Sequence, residues 1–256
     1  MYLGIDIGSV SINAVMIDHK KTILGYKIGD SGYDHKDSIE KIITHMCRKT
    51  GINKSDIKKI IGTGYGRKNI PGAHKSVTEI TCHAIGVRHL FPQAENIIDI
   101  GGQDSKVIQL SNSGFVETFF MNDKCSAGTG RFLEVMAGVM KMDMKQFSEC
   151  GLLSEKPYKI SSTCTVFAES EVISGIAKGV PKEDIIAGIF ESIAARCLLM
   201  AYGMDIDKET ILTGGVAKNK GIIKYITKRI PRLKIPPEPQ ITGALGAALI
   251  GRAEDL

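Results

Sequence analysis

The chain has 256 residues, 43% hydrophobic and 24% charged, with a formal net charge of +5. That length buries a full core and excludes more than two ordinary domains, and the apolar stretches fall far below the ~18 residues of a membrane span. The basic residues are scattered in pairs such as Lys20-Lys21 and Lys58-Lys59 without interleaved aromatics, so neither a membrane nor a nucleic acid is an expected partner.

In chain order, apolar runs at about 2–7, 12–17 and 22–28 read as three strands. The spacing of Ile39, Ile42, Ile43 and Met46 predicts a helix over 36–50, with Asp37 near its start and Gly51 just past its end. A strand at about 57–62 and a helix at about 78–90 follow. The pattern then restarts, for Ile5-Asp6-Ile7-Gly8 recurs as Ile98-Asp99-Ile100-Gly101, each time after an apolar lead and before a polar turn. Strands are predicted near 96–101, 105–110 and 115–120, and helices near 129–141, 164–178 and 181–203, with Pro181 suited to a first helical position. A strand at Ile211-Leu212-Thr213, a helix near 217–229 and a small-residue helix at 242–252 close the chain. Pro236-Pro237-Glu238-Pro239 reads as a stiff connector.

Two copies of one pattern imply an α/β fold of duplicated subdomains facing each other, 1–92 with 240–256 and 93–239. The sequence opens into an apolar strand with no basic n-region, h-region or small-residue cleavage site ahead of it, so a cytoplasmic location is expected.

Each copy places a carboxylate at a strand end and glycine in the turn after it: Asp6 before Gly8, Ser9 and Ser11, and Asp99 before Gly101, Gly102, Gln103 and Asp104. Glycine lets backbone amides approach an anion, and two facing carboxylates suit a hydrated Mg²⁺ on a polyphosphate. Taken singly, either turn is equally ordinary hairpin chemistry. A third turn, Thr213-Gly214-Gly215-Val216-Ala217-Lys218-Asn219, again joins a strand to a helix and suits a nucleoside or a phosphate. No GxxxxGK[ST] is present, which excludes a P-loop enzyme. The arrangement resembles the superfamily of actin, Hsp70 and the sugar and acetate kinases, with ribonuclease H-like subdomains closing on Mg-ATP. That resemblance implies phosphate loops at 3–17 and 97–108, an adenosine loop at 211–222 and connecting helices at 78–90 and 242–252. It also puts Gln103 and Asp104 beside the attacking water.

The six cysteines, Cys47, Cys82, Cys125, Cys150, Cys164 and Cys197, form no CxxC pair, which argues against a disulfide framework and a self-contained zinc finger. Cys47, Cys82 and Cys197 lie in helical apolar settings and read as small buried hydrophobes. Cys150, before Gly151, fits no single reading. Cys125 and Cys164 differ, for each sits at or just before a predicted helix start, where backbone amides favour a thiolate, and Lys124 and Arg131 flank the first. Two thiolates do not complete a 4Fe-4S site, but a two-fold dimer bringing two from each chain could.

Three blocks closely resemble the ATP-dependent activators of 2-hydroxyacyl-CoA dehydratases, a group that includes ATPase subunits of benzoyl-CoA reductases. They are Lys124-Cys125-Ser126-Ala127-Gly128-Thr129-Gly130-Arg131-Phe132-Leu133-Glu134, Ser162-Thr163-Cys164-Thr165-Val166-Phe167-Ala168-Glu169-Ser170-Glu171 and Ile97-Ile98-Asp99-Ile100-Gly101-Gly102-Gln103-Asp104. The resemblance implies a homodimer sharing one 4Fe-4S cluster on Cys125 and Cys164. It further implies ATP and ADP as ligands, ferredoxin or flavodoxin as electron donor, and an iron-sulfur acceptor enzyme. The chain departs from the group at Asn13, where a lysine is usual near the first phosphate loop; Asn13 is then a neutral donor to phosphate, or the mark of a subgroup serving a double-cubane cluster protein. A small-molecule kinase with Asp99 or Asp104 as base, and a non-redox ATP switch with structural cysteines, explain the glycine turns but not the cysteine blocks.

Overall fold

The computed structural model describes residues 1–161 and 164–255. Ser162 and Thr163 of the second cysteine block, and Leu256 at the end of the expected first subdomain, lie outside the described residues.

Three strands open the chain: β1 (Tyr2–Ile7), β2 (Ser11–Ile17) and β3 (Ile23–Asp30). Helix α1 (His35–Thr50) starts at Asp34, whose carboxylate accepts from the amides of Lys36 at 2.9 Å and Asp37 at 3.2 Å, and stops at left-handed Gly51. Strands β4 (Lys59–Gly64) and β5 (Lys75–Ser76) and helix α2 (Glu79–Leu90) follow. β4 begins two residues later than the hydrophobic run suggests, because Asn53 and Asp56 close a capped 3-10 turn over Lys54–Asp56. The first sheet has the order β3-β2-β1-β4-β5, antiparallel between β1, β2 and β3 and parallel between β1, β4 and β5.

β1 is buried along its whole length, and its two-residue period divides two layers. Leu3, Ile5 and Ile7 join Ile12, Ala14 and Met16 against Ile39, Ile42, Ile43 and Met46 of α1. Tyr2, Val15 and Ile17 face the small-residue helix α8 (Thr242–Ala253) on the other side. Gly4 lies against the Ala244 carbonyl, and α2 meets α8 through Gly86 on the Thr242 carbonyl and Gly246 on the Cys82 carbonyl. No Cβ fits at these three positions.

The second sheet repeats the meander with β6 (Asn96–Ile100), β7 (Ser105–Leu110) and β8 (Val116–Asn122), then continues through helices α3 (Gly130–Val139), α4 (Met144–Leu152), α5 (Thr165–Ala177) and α6 (Lys182–Met200). β9 (Thr210–Thr213), α7 (Lys220–Thr227) and β10 (Leu233–Lys234) complete it, in the order β10-β9-β6-β7-β8. Ile98, Ile100, Val107 and Leu212 of the strands share one core with Phe132, Phe147, Ile186, Phe190 and Ile226 of the helices, and the Phe147 and Phe190 rings meet edge-on at 5.5 Å.

Three expectations change. Helix α4 is not foreseen, although Asp143 and Gln146 form a capping box at its start. The helix expected over 217–229 is a 3-10 turn, Gly215–Lys218, followed by α7, because Asn219 is extended and caps the Ile222 amide at 3.2 Å. Pro181 stands one residue ahead of α6 as its cap.

By its internal contacts the chain divides into two compact units, Met1–Ile97 with Ile108–Phe119 and Pro236–Leu256, and Ile98–Val107 with Phe120–Ile235. Among the described residues no helix is long and apolar enough to cross a membrane.

Gly246→Ala drives a methyl group into the Cys82 carbonyl, a backbone atom that cannot move aside. The variant is expected to lose about 3 kcal/mol, the upper end of the overpacking range, read as a lower urea midpoint at constant slope.

Candidate functional site

In the first unit, Asp6 ends β1 with its side chain on the α8 face, 8% exposed. Its register partners are Asn13 on antiparallel β2 and Thr63 on parallel β4. A Cβ at either Gly64 or Gly243 would strike the Asp6 carboxylate, and Gly64 has φ +85°, so the carboxylate is clasped between two glycines that admit no replacement. His83 lies on the same side, buried, with Nδ1 3.2 Å from the Thr242 hydroxyl at the start of α8. The turn is closed by the Gly8 amide donating to the Ser11 carbonyl at 2.9 Å, and Ser31 Oγ donates to the Gly8 carbonyl at 2.8 Å. Ser9 at its tip is exposed. Asn13 is buried and its Oδ1 has no hydrogen-bond partner.

The second unit closes its turn identically, with the Gly101 amide donating to the Asp104 carbonyl at 2.9 Å. Behind it lies a charged group that sequence reasoning missed. Lys106 is 3% exposed, and its Nζ stands 3.1 Å from Asp99 Oδ2 and 2.6 Å from Asp104 Oδ2. Asp99 Oδ1 accepts from the Thr213 hydroxyl at 2.7 Å. Both Asp99 oxygens are therefore engaged inside the protein, and Asp104 is the more open carboxylate. Lys106 follows Asp99 by seven residues, as Asn13 follows Asp6, so the duplication places a lysine in one copy and an asparagine in the other. Gln103 is exposed beside the turn and Gly102 half-buried. The amides of Gly130 and Arg131, opening α3, donate to the Gly101 and Gly102 carbonyls at 2.9 and 2.8 Å, fastening turn to helix.

The third turn packs on the second. Gly214 has φ +86° and sits on the Ile100 backbone, where a Cβ has no room. Gly215 is half-buried, whereas Val216 belongs to the core and offers only its backbone. Asn219 Oδ1 is occupied by the Ile222 amide at 3.2 Å and Ser148 Oγ at 3.1 Å, while its buried Nδ2 has no partner.

The two unusual cysteines lie in this same unit, on loops tied to one another. Asn122, at the end of β8, donates from Nδ2 to the Cys125 carbonyl at 2.8 Å and accepts from the Cys125 amide at 3.2 Å. Ser126 Oγ and Thr165 Oγ1, each the residue after a cysteine, are 3.0 Å apart. Cys164 caps α5 and is exposed; Cys125 is half-buried. The positive charge near Cys125 is not the expected one. Lys124 turns to Asp123 at 3.3 Å and Arg131 to Glu134 at 3.0 Å, and it is Arg196 of α6 whose Nη2 lies 4.0 Å from the Cys125 sulfur.

Burial pushes the Cys82 and Cys197 thiols up to about 12 and raises those of Cys47 and Cys150; Cys82, Cys150 and Cys197 are buried, whereas Cys47, expected to be buried, is half-buried. Among the described residues no group of three or more His, Cys, Asp or Glu side chains is assembled to hold a metal. Two thiols supply half of the ligands that a 4Fe-4S cluster takes; the Cys125 loop is joined to that of Cys164 by the Ser126–Thr165 contact, and Cys164 is exposed, which suits a ligand set completed by another molecule. Exposed Val166 and Phe167 of α5 and Phe119, Phe120 and Met121 of β8 leave apolar surface on the elements that carry these loops.

Residues 3–251 match the model of the BadF/BadG/BcrA/BcrD ATPase family. The chain belongs to that family. It is accordingly an ATPase, with the duplicated α/β fold of the actin-like ATPases. The activator of lactoyl-CoA dehydratase from Anaerotignum propionicum is 44% identical over 248 residues, 96% of this chain and 95% of that one. The (R)-2-hydroxyglutaryl-CoA dehydratase activating ATPase of Acidaminococcus fermentans is 42% identical over 249 residues, covering 96% and 95%. The solved structure of the activator of 2-hydroxyisocaproyl-CoA dehydratase from Clostridium difficile, with bound ADPNP, superposes with a TM-score of 0.93 at 42% identity, covering 99% of this chain and 95% of that one.

Two outcomes follow from this geometry. With a thiol reagent on the folded, metal-free chain, Cys164 is expected to react first and Cys82 and Cys197 only after unfolding in urea, as peptide mapping would read. Lys106→Met takes the ammonium away from Asp99 and Asp104 and is expected to cost about 3–5 kcal/mol in urea unfolding, with part regained in Lys106→Met/Asp99→Asn.

Proposed function

We propose that this ATPase is an activator of a 2-hydroxyacyl-CoA dehydratase-like iron-sulfur enzyme, coupling ATP hydrolysis to delivery of single low-potential electrons. The observation that carries this reading is the tie between the Cys125 and Cys164 loops through Ser126 and Thr165, in a chain that is 42–44% identical to dehydratase activators. In this reading the chain is a homodimer, with Cys125 and Cys164 of each copy holding one 4Fe-4S cluster. When bound, such a cluster supplies one-electron chemistry at a potential set by charge, hydrogen bonding and exposure. Ferredoxin or flavodoxin serves as donor and the iron-sulfur enzyme as acceptor.

The segments 1–92 with 240–256 and 93–239 serve as the two subdomains of the ATPase. The chain's turns carry the nucleotide: Gly8, Ser9, Ser11 and Asn13, together with Gly101 and Gly102, hold phosphate, and Gly214, Gly215, Val216 and Asn219 hold the nucleoside. Backbone amides suit the phosphates, and the free Nδ2 of Asn219 suits an acceptor. Asp6 in the first unit and Asp104 in the second each offer a carboxylate that would suit the waters of a bound Mg²⁺ ion, whereas Asp99 is engaged with Lys106 and Thr213 and acts by holding that lysine against Asp104. Gln103, exposed beside Asp104, orients the attacking water. The direction of coupling follows from population shift, for nucleotide biases the state of the cysteine loops only as far as it binds two states unequally. The amides of Gly130 and Arg131 give that bias a path, because they join the second turn to the helix just after Cys125.

A double-cubane cluster protein as acceptor is the second reading, favoured by the neutral, buried Asn13. A small-molecule kinase leaves the two tied cysteine loops without a purpose.

Anaerobic reconstitution tests the proposal. The expected product is a brown dimer with about four irons per two chains, lost in Cys164→Ser. Asp6→Ala is expected to abolish ATP-driven reduction of an iron-sulfur acceptor while leaving the absorption of the bound cluster unchanged; a colourless monomer that phosphorylates a sugar would overturn the assignment.

A further inference from the structure

We propose that Arg196 is the positioning residue for Cys125, fixing its loop and placing a permanent positive charge at its sulfur, and that this charge sets how readily the iron-sulfur group accepts an electron. The proposal rests on the function argued above.

Three observations carry it. The Arg196 guanidinium reaches Cys125 across 71 residues of sequence, with Nη2 4.0 Å from Sγ. Its aliphatic stem is the floor of the loop: Gly128 has φ +86°, and a Cβ there would stand 3.1 Å from Arg196 Cδ, so the glycine lets the backbone settle on the arginine. The base of the side chain is rigid, because Ile193, Ala194 and Cys197 around it on α6 are buried in the core.

Arginine suits this task better than lysine. It stays charged at every relevant pH, its planar fork can face a sulfur while its stem packs, and it is weakly hydrated, so half-burial costs less than for an ammonium. A fixed cation beside a sulfur lowers the free energy of the more negative, reduced state of an iron-sulfur group and so raises its potential. Without Arg196 the same sulfurs hold a group that is harder to reduce and that gives up its electron more readily.

The experiment compares wild type, Arg196→Gln and Arg196→Lys, each reconstituted anaerobically, by iron content, thermal melting and redox titration followed by electron paramagnetic resonance. At an ambient potential equal to the wild-type midpoint, where half of the wild-type clusters are reduced, the reduced fraction in Arg196→Gln is expected to fall to about one tenth, with Arg196→Lys in between. A role confined to packing would lower melting or iron retention and leave the midpoint in place. Loaded Arg196→Gln with the wild-type midpoint therefore overturns the proposal while the function stands. Should Arg196→Gln fail to hold iron, Arg196→Lys decides: a lower midpoint than wild type supports the proposal, and an equal one overturns it. Wild type that takes up no iron overturns both the proposal and the function on which it rests.

Discussion

A carboxylate buried at the end of an apolar strand is unstable unless its oxygens are met by donors, and this chain sets one there twice. The two solutions differ. Asp99 is held by an ammonium and a hydroxyl, Lys106 and Thr213, with Asp104 sharing the lysine. Asp6 is enclosed by glycines on β4 and α8, and its register partner on β2 is the neutral amide Asn13, seven residues on, where the other copy has its lysine at the same sequence offset. Much else follows from placing these groups. The strands β1 and β6 must be buried to carry them inward, the turns must be tight to present glycine amides beyond them, and α8 must be built of small residues to reach Asp6.

The cysteine region obeys a complementary rule. Its sulfurs are kept at or near the surface, yet their loops are not loose. Asn122 mimics a backbone partner for Cys125, the hydroxyls of Ser126 and Thr165 bridge the two loops, and Thr129 Oγ1 donates to the Ser126 carbonyl at 2.5 Å. α3 then runs from this loop with its first amides on the second glycine turn. Two backbone hydrogen bonds therefore fasten the second glycine turn to the helix that leaves the sulfur-bearing loop, which is the physical basis for any communication between them.

Most of the architecture is legible in the sequence because period and punctuation agree. The repeated Ile-Asp-Ile-Gly, the helical spacing of Ile39 to Met46 and the glycine after β1, β6 and β9 all mark elements that the structure contains. Helix α4 carries a readable signal in Asp143 and Gln146 that a search for apolar periodicity overlooks, since its short helix buries only Phe147, Cys150 and Gly151. Lys106 is readable too, from the seven-residue offset it shares with Asn13, though hydropathy hides it inside a strand. Arg196 is not readable. Its link to Cys125 depends on how α6 packs, and adjacency along the chain points instead to Lys124 and Arg131, which turn toward nearer carboxylates. Local pattern thus reports what each strand or helix is, whereas charge pairing at the sulfur is decided by packing over long separations.

The exposure of Cys164 at the head of α5 carries a cost. A sulfur placed where another molecule can reach it is equally within reach of dioxygen and peroxide, and thiols so placed climb from sulfenic to sulfinic acid, the later steps being irreversible. The neighbours of Cys164 in sequence, Cys150 and Cys197, are buried, which leaves half-buried Cys125, on the loop tied to that of Cys164, as the thiol better placed to condense with the first oxidation product. Aeration therefore acts first on this exposed sulfur, and the working life of the protein is bounded by the redox climate around it as well as by the stability of its fold.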